Sequence, residues 1–317
     1  MSVIAVSGVD GALRRRIVDA LETVVDRVVA FNPSNENERA EFLTVETVVH
    51  LAFVEDLNQK AFHAVLEQPS GNLKKVVLVS SAMVYGAWPN NAIPLSEDAP
   101  VRPNPETSFA VHQADAERKL MEWSDESASR EIAILRPAAV ASSIATGLVG
   151  EALLAAAPIR TGRDDPPVQF LHLDDLATAV GLVVVKNLCG VFNVAPDGWL
   201  SSRELRELLG ARPKVRIPVP LPGRLDRYIS RRVAHNAPSG LLPYTRYSWV
   251  VANDRLKAHG WIPKYGNDQV FVTADAGMPW DSMNAKQRQL VSLGVGLTSV
   301  FGAIISLVLW VKRVRRR

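Results

Sequence analysis

The chain has one cysteine, Cys189, among its 317 residues. A single thiol excludes an internal disulfide and any cysteine-based zinc site within one chain. The 6 histidines show no metal-ligand spacing. Excess charge is scarce as well. The formal net charge is +3, and Lys312, Arg313, Arg315, Arg316 and Arg317 in the tail supply more than all of it. The body is therefore near neutral and offers no electrostatic reason to bind nucleic acid. No internal repeat and no low-complexity tract is present. No secretory leader is expected: Ser2 to Val6 is a short apolar run with no basic stretch before it, and Gly8 interrupts it.

The chain does have apolar material, 47% of it, enough for one large domain or two smaller ones. Apolar runs over Val3 to Ser7, Arg27 to Phe31, Glu46 to Ala52, Lys75 to Ser80 and Ile132 to Arg136 predict strands. Helical spacing over Ala12 to Leu21 and Ala110 to Trp123 predicts helices between them. Strands in alternation with helices, and strands apolar on both faces, predict an α/β fold with a doubly wound parallel sheet.

Several ordered segments carry a resemblance. Val77-Leu78-Val79-Ser80-Ser81-Ala82-Met83-Val84-Tyr85-Gly86 is followed by Ile134-Leu135-Arg136-Pro137, and then by Phe170-Leu171-His172-Leu173-Asp174-Asp175-Leu176-Ala177. Gly190-Val191-Phe192-Asn193-Val194 and Gly260-Trp261-Ile262-Pro263 complete the series. Over residues 3 to 263 the chain resembles the extended short-chain dehydrogenases/reductases, the NAD-dependent epimerase/dehydratase family. The resemblance implies a Rossmann-like doubly wound sheet with a smaller C-terminal substrate lobe. It sets a domain over residues 1–263; the apolar run near the C-terminus adds a transmembrane helix over 289–311, with a juncture over 264–288 before it and a basic tail over 312–317 after it.

Against that family the chemistry departs. The resemblance implies a catalytic Ser, and a Tyr-x-x-x-Lys about two dozen residues later. Ser81 keeps its position, but Phe109 falls on the Tyr and Gln113 on the Lys. Phe has no proton to give, and Gln has no charge with which to lower a neighbour's pKa. His112 points about 100° from Gln113 on a helix and is a poor replacement. Tyr85 could supply a phenol, although the resemblance implies a structural role. His172 and Asp174 are expected to hold a turn, and His50 to be a packed or hydrogen-bonded residue.

The cofactor-binding turn is altered too. Gly8, Gly11 and Arg14 stand where the family has three glycines; the first two permit a tight turn and close approach to a pyrophosphate. Arg14 places a long cation where only hydrogen is usual, and it fits by swinging outward. Asp10 adds a negative charge to the phosphate loop. Asn32 stands where NAD-binding members often carry an acid. Only 12 residues, Pro33 to Thr44, follow before the next strand run, too few for the helix and the strand that the family usually holds there. The expectation is no cofactor or weak NAD(P) binding.

Leu290 to Val311 is 22 residues without charge, Pro or amide side chain. At ~1.5 Å per residue such a helix spans about 33 Å, which matches a bilayer core. Gly294, Thr298, Gly302 and Ser306 recur every four residues, a spacing that lets helices pack closely in a homodimer or with a protein partner. The expected partners are therefore the lipid bilayer and another membrane helix. The expected localisation is membrane, single-pass, with a cytoplasmic globular part. The basic tail conflicts with that layout, since basic residues tend to stay inside. Three functions stay open: a catalytically silent accessory or scaffold subunit of a membrane-associated assembly; an NAD(P)-dependent oxidoreductase or epimerase acting on a lipid, isoprenoid or nucleotide-sugar; and a ligand sensor without turnover.

Overall fold

The computed structural model describes residues 3–8, 11–31, 42, 44–52, 57–67, 72–142, 149–150, 153–154, 159–160, 166–209, 215–216 and 240–274. Asp10, Asn32 and the whole Leu290 to Val311 run, with its small-residue stripe, lie outside them. Among the described residues no helix is long and apolar enough to cross a membrane.

Five apolar runs become the first five strands, and the spans agree with the sequence to within a residue or two. They are β1 (Val3–Gly8), β2 (Arg27–Phe31), β3 (Thr47–Leu51), β4 (Lys75–Val79) and β5 (Glu131–Pro137). Later come the short β6 (Ala139–Ala141), β7 (Ile159–Arg160) and β8 (Phe170–His172), then β9 (Gly190–Val194) and β10 (Val215–Arg216). Six strands make one sheet in the order β2-β1-β3-β4-β5-β9, and every pairing in it is parallel. Among the described residues β2 is its edge, in keeping with the short interval after Asn32.

The helices are α1 (Ala12–Glu22), α2 (Leu57–Leu66), α3 (Ser108–Asp125), α4 (Leu173–Val185), α5 (Ser202–Leu209), α6 (Leu242–Arg246), α7 (Asp254–Ala258) and α8 (Asn267–Ala274). Strand period two sorts the side chains onto two faces. Val6, Val49, Val77 and Leu135 face α1 and α4, where Ile17, Leu21, Leu176 and Val180 meet them. Ala5, Val48, Leu78 and Ile134 face α2 and α3, where Phe62, Val65, Leu120 and Trp123 close the second layer. A parallel sheet covered on both faces is the arrangement such continuous apolar strands require.

The compact unit runs from Met1 to Asp275 and continues beyond Pro263. Asp175 explains why. Its two carboxylate oxygens accept from the backbone nitrogens of Lys264 (2.9 Å) and Tyr265 (3.0 Å). Val270 and Phe271 of α8 are in the core, and Asn267 accepts from the Phe170 nitrogen at 3.0 Å. Residues 264–274 are therefore part of the globular body.

Candidate active site

All six strands of the sheet end on one edge, and the turns that follow them build the site. This is where ligands sit in open α/β sheets. Ser81 follows β4. Its backbone is extended, and its Oγ accepts from the Met83 nitrogen at 3.2 Å, which caps the short turn Ala82–Tyr85. The hydroxyl proton of Ser81 remains available to donate, although the residue is only 7% exposed.

Helix α3 carries the next residues. Phe109, Gln113 and Glu117 recur at i, i+4 and i+8, so they form one stripe. All three are buried. Phe109 is 4% exposed and belongs to the main core. Gln113 donates from Nε2 to the carbonyl oxygen of Ala52, just after β3, and its Oε1 is enclosed without a partner. The structure thus brings Ser81, Phe109 and Gln113 to the turns at one end of the sheet. It supplies neither a phenol at position 109 nor an ammonium at 113.

The other titratable groups near the strand ends are committed elsewhere. Tyr85 donates to Asn193 Oδ1 (2.8 Å) and accepts from Arg136 Nη1 (2.8 Å). Burial pushes its phenol up, partly offset by the Arg136 guanidinium. Arg136 grips Glu117 through Nη2 at 2.6 Å and Nε at 3.1 Å, and Ser80 Oγ donates to the same carboxylate at 2.6 Å. A cation on a buried strand needs such a partner, since an unpaired one is far costlier. Tyr85 is therefore a locked part of this network and no spare acid. The i+8 spacing from Phe109 was the sequence signal that would have found Glu117.

His50 is fully buried, and its Nδ1 is 2.8 Å from Ser7 Oγ. Burial lowers its pKa to about 3, so the ring stays neutral. His172 Nδ1 accepts from the Asp174 nitrogen at 3.1 Å and caps α4, while its ring stacks on Tyr265 at 3.8 Å. Asp174 in turn accepts from Arg16 Nε at 2.6 Å, which ties α4 to α1. Both residues hold the turn expected of them. His112 is half-buried with Nδ1 enclosed and unpartnered. Tyr244 was not foreseen: its hydroxyl donates to the Met83 carbonyl at 2.8 Å, and burial pushes its phenol up.

Gly8 and Gly11 flank the turn between β1 and α1. Gly8 has φ +119, and a Cβ there would meet the Leu51 oxygen at 2.5 Å. A Cβ on Gly11 would meet nothing within 4 Å, so backbone is open to a ligand at that point. Helix α1 begins there with no acid in its first turn. An oxyanion at a helix N-terminus needs this geometry. Arg14, in the first turn of α1, is 6% exposed. Two such glycines and a helix N-terminus are the groups that would hold a dinucleotide's diphosphate. Gln113 and Phe109 supply neither the charge nor the proton used in hydride chemistry.

Residues 29–195 match the model of the NAD dependent epimerase/dehydratase family. Among curated proteins, an uncharacterized protein of Mycobacterium tuberculosis strain H37Rv is 27% identical over 255 residues, a match covering 72% of this chain and 64% of that protein. The chain thus spans less than two thirds of that relative's length. Among solved structures, the UDP-glucose 4-epimerase of Thermus thermophilus in complex with NAD has a TM-score of 0.58 at 19% identity, covering 87% of this chain and 98% of that one. The dTDP-glucose 4,6-dehydratase of Bacillus anthracis with NAD has a TM-score of 0.61 at 16% identity, covering 87% and 96%. A short-chain dehydrogenase/reductase superfamily protein of Agrobacterium tumefaciens with bound NAD also scores 0.61 at 16% identity, covering 92% and 99%. At these identities the structural likeness is one of fold. The family match covers more than half of the chain, and the chain belongs to the NAD dependent epimerase/dehydratase family.

Proposed function

We propose that this protein is a catalytically silent member of its family, one that keeps a ligand-binding cleft and has lost the proton relay. The observation that carries this reading is the buried stripe on α3. A 4% exposed Phe109 and an amide-bonded Gln113 occupy the turn where general acid–base chemistry requires a tuned phenol. Loss of such a group typically removes ~10²- to 10⁴-fold in rate. In this proposal the apolar run Leu290 to Val311 attaches the protein to a membrane, where it serves as an accessory or scaffold subunit. The run's length and its basic flank support that part.

A second reading rests on specific features. Ser81 retains a hydroxyl proton to donate, and a Cβ on Gly11 at the start of α1 would meet nothing within 4 Å. These favour an NAD(P)-dependent epimerase or oxidoreductase, with a nucleotide-sugar, isoprenoid or lipid substrate, that draws its acid from another source. Solved epimerases and dehydratases of similar fold, in complex with NAD, support it.

The two readings part on cofactor affinity. Titration of the full chain with NADH and NADPH, read by fluorescence and calorimetry, is expected to give weak binding or none. The double variant Phe109→Tyr, Gln113→Lys is expected to bind more tightly, because the new ammonium adds a donor to the nicotinamide end. Micromolar affinity in the unmodified chain would favour the second reading. An equally weak double variant would place the deeper defect in the short interval after Asn32.

A further inference from the structure

We propose that His172 is an acid-sensitive latch: its neutral ring fastens α4 to the turn at Lys264 and Tyr265, and the protonated ring lets that turn go. The proposal does not depend on whether the protein binds a cofactor or turns anything over.

Three sets of contacts build the latch. His172 stands just before α4, and its Nδ1 accepts from the Asp174 nitrogen at 3.1 Å. Its ring lies on the Tyr265 ring, with centroids 3.8 Å apart and planes 27° from parallel. Asp175 accepts from the Lys264 and Tyr265 nitrogens at 2.9 and 3.0 Å, which fixes the turn beneath that stack. The cap at Asp174 needs a lone pair on Nδ1. A protonated imidazole carries a proton on both nitrogens and accepts nothing. In acid the Asp174 N–H would face another donor, so the ring has to turn, and it leaves Tyr265 when it does.

The surroundings favour the neutral ring. The titratable groups that face it are Asp174 and Asp175 on α4, Arg16 on α1, and Lys264 and Tyr265 on the turn. Strand β6, which pairs with β8, is Ala139-Val140-Ala141 and brings none. Asp268, the one titratable residue of α8, is exposed. Asp174 Oδ2 is 3.9 Å from Nδ1, but Arg16 Nε already holds that carboxylate at 2.6 Å. Asp175 is taken by its two backbone donors. The Lys264 ammonium lies 5.6 Å from the centre of the Tyr265 ring, so an imidazolium stacked there would meet a second cation. The start of a 13-residue helix also repels positive charge. Burial of the ring, 9% exposed, outweighs the two acids and holds its pKa below 6.5. The closed latch is therefore complete above pH 6.5 and is lost as the pH falls toward the ring's lowered pKa. Neither acid opens it in that range. Asp174, held down by its bond to Arg16, stays ionised. Asp175, pushed up by burial, takes a proton more readily in the closed form than in the open one, which opposes opening.

The test uses the full chain and two kinds of hydrogen exchange read by peptide mass spectrometry. Exchange of the ring carbon proton against pH gives the pKa of His172. Exchange of the Lys264 and Tyr265 amides at pH 7.5 and 5.5, corrected for the intrinsic rate at each pH, gives the opening of the turn. His172 is expected to titrate below 6.5. Between the two pH values amide protection should fall about three- to tenfold further in the unmodified chain than in His172→Asn. The Asn oxygen still caps a helix but takes no proton. Any fall that passes through His50 is common to both proteins and cancels. His172→Ser, which caps in the same way, is expected to match His172→Asn. The proposal is overturned if the ring titrates at 6.5 or above, or if protection falls equally in the unmodified chain and the capping variants. It is equally overturned if protection in the unmodified chain does not fall at all. The ring pKa and the last of these outcomes are read in the unmodified chain, so they decide even where a variant fails to fold.

Discussion

Gln113 on α3 donates through its side-chain amide to the carbonyl oxygen of Ala52, just beyond the end of β3. The bond fastens the helix to the sheet at the position where the family resemblance implies a Lys. An amide is suited to this structural task and carries no charge for a reaction. The residue at 113 thus has a role in the fold, and its removal has a predictable effect.

Gln113→Ala should destabilise the protein by about 1–3 kcal/mol, because it leaves the Ala52 carbonyl without its donor in a buried setting. Urea unfolding measures this directly. A change under ~0.5 kcal/mol would mean that the bond contributes little.

Glu117 and Arg136 are each 2% exposed and joined at 2.6 Å. Glu117→Ala strands a buried guanidinium and should cost about 3–5 kcal/mol. The double variant Glu117→Leu, Arg136→Met removes both charges and should recover most of that loss. Chemical denaturation of the three proteins forms the comparison; equal loss in single and double variants would deny the pairing its importance.

His50 makes stability pH-dependent. Its folded pKa is about 3, below the ordinary 6.5, because burial disfavours the charged ring. The unfolded chain therefore binds a proton that the folded one refuses. The stability this gives is complete above pH 6.5 and is lost as pH falls toward 3, by about 1.4 kcal/mol per unit. Unfolding free energies at pH 7.5 and pH 5 should differ by about 2 kcal/mol more in the unmodified protein than in His50→Asn. A His50→Asn difference equal to that of the unmodified chain would remove His50 from the account.

Gly240 has φ +79, and a Cβ there would lie 2.0 Å from the Glu106 oxygen. Thr107 Oγ1 also donates to its carbonyl at 2.7 Å, at the start of α3. Gly240→Ala should therefore loosen the junction between α3 and the lobe segment and lower the melting midpoint, by roughly 1–3 kcal/mol in stability. Calorimetric scans of the two proteins check it; an unchanged midpoint would show that the junction can yield.

The sheet was legible because five apolar runs with period-two sorting fit only a covered parallel sheet. Phe109 and Gln113 were legible for a related reason: their spacing from the Ser81 turn is set by one loop and one helix. A sequence shows that a long cation replaces a glycine at Arg14, but not how far that cation is buried. Glu117 was passed over although it continues the Phe109–Gln113 stripe, Asn193 was read only as part of its strand motif, and Tyr244 escaped notice because its partner is far along the chain. Tyr244 meets Met83 across 161 positions, and no local period records such a contact. Residues 264–274 fall in the stretch 264–288 that reads as a juncture, because the family motifs end at Pro263. The Asp175 carboxylate that holds Lys264 and Tyr265 is what assigns them to the body.

The central claim is that the Ser81, Phe109 and Gln113 site cannot run a proton relay. The most direct test mixes the full chain, and its Ser81→Ala variant, with NAD or NADP and a panel of nucleotide-sugars and isoprenoid and sterol alcohols, and follows absorbance at the reduced nicotinamide band together with product formation. The account predicts no turnover in the unmodified chain above that of Ser81→Ala. Turnover by the unmodified chain that disappears in Ser81→Ala would contradict it.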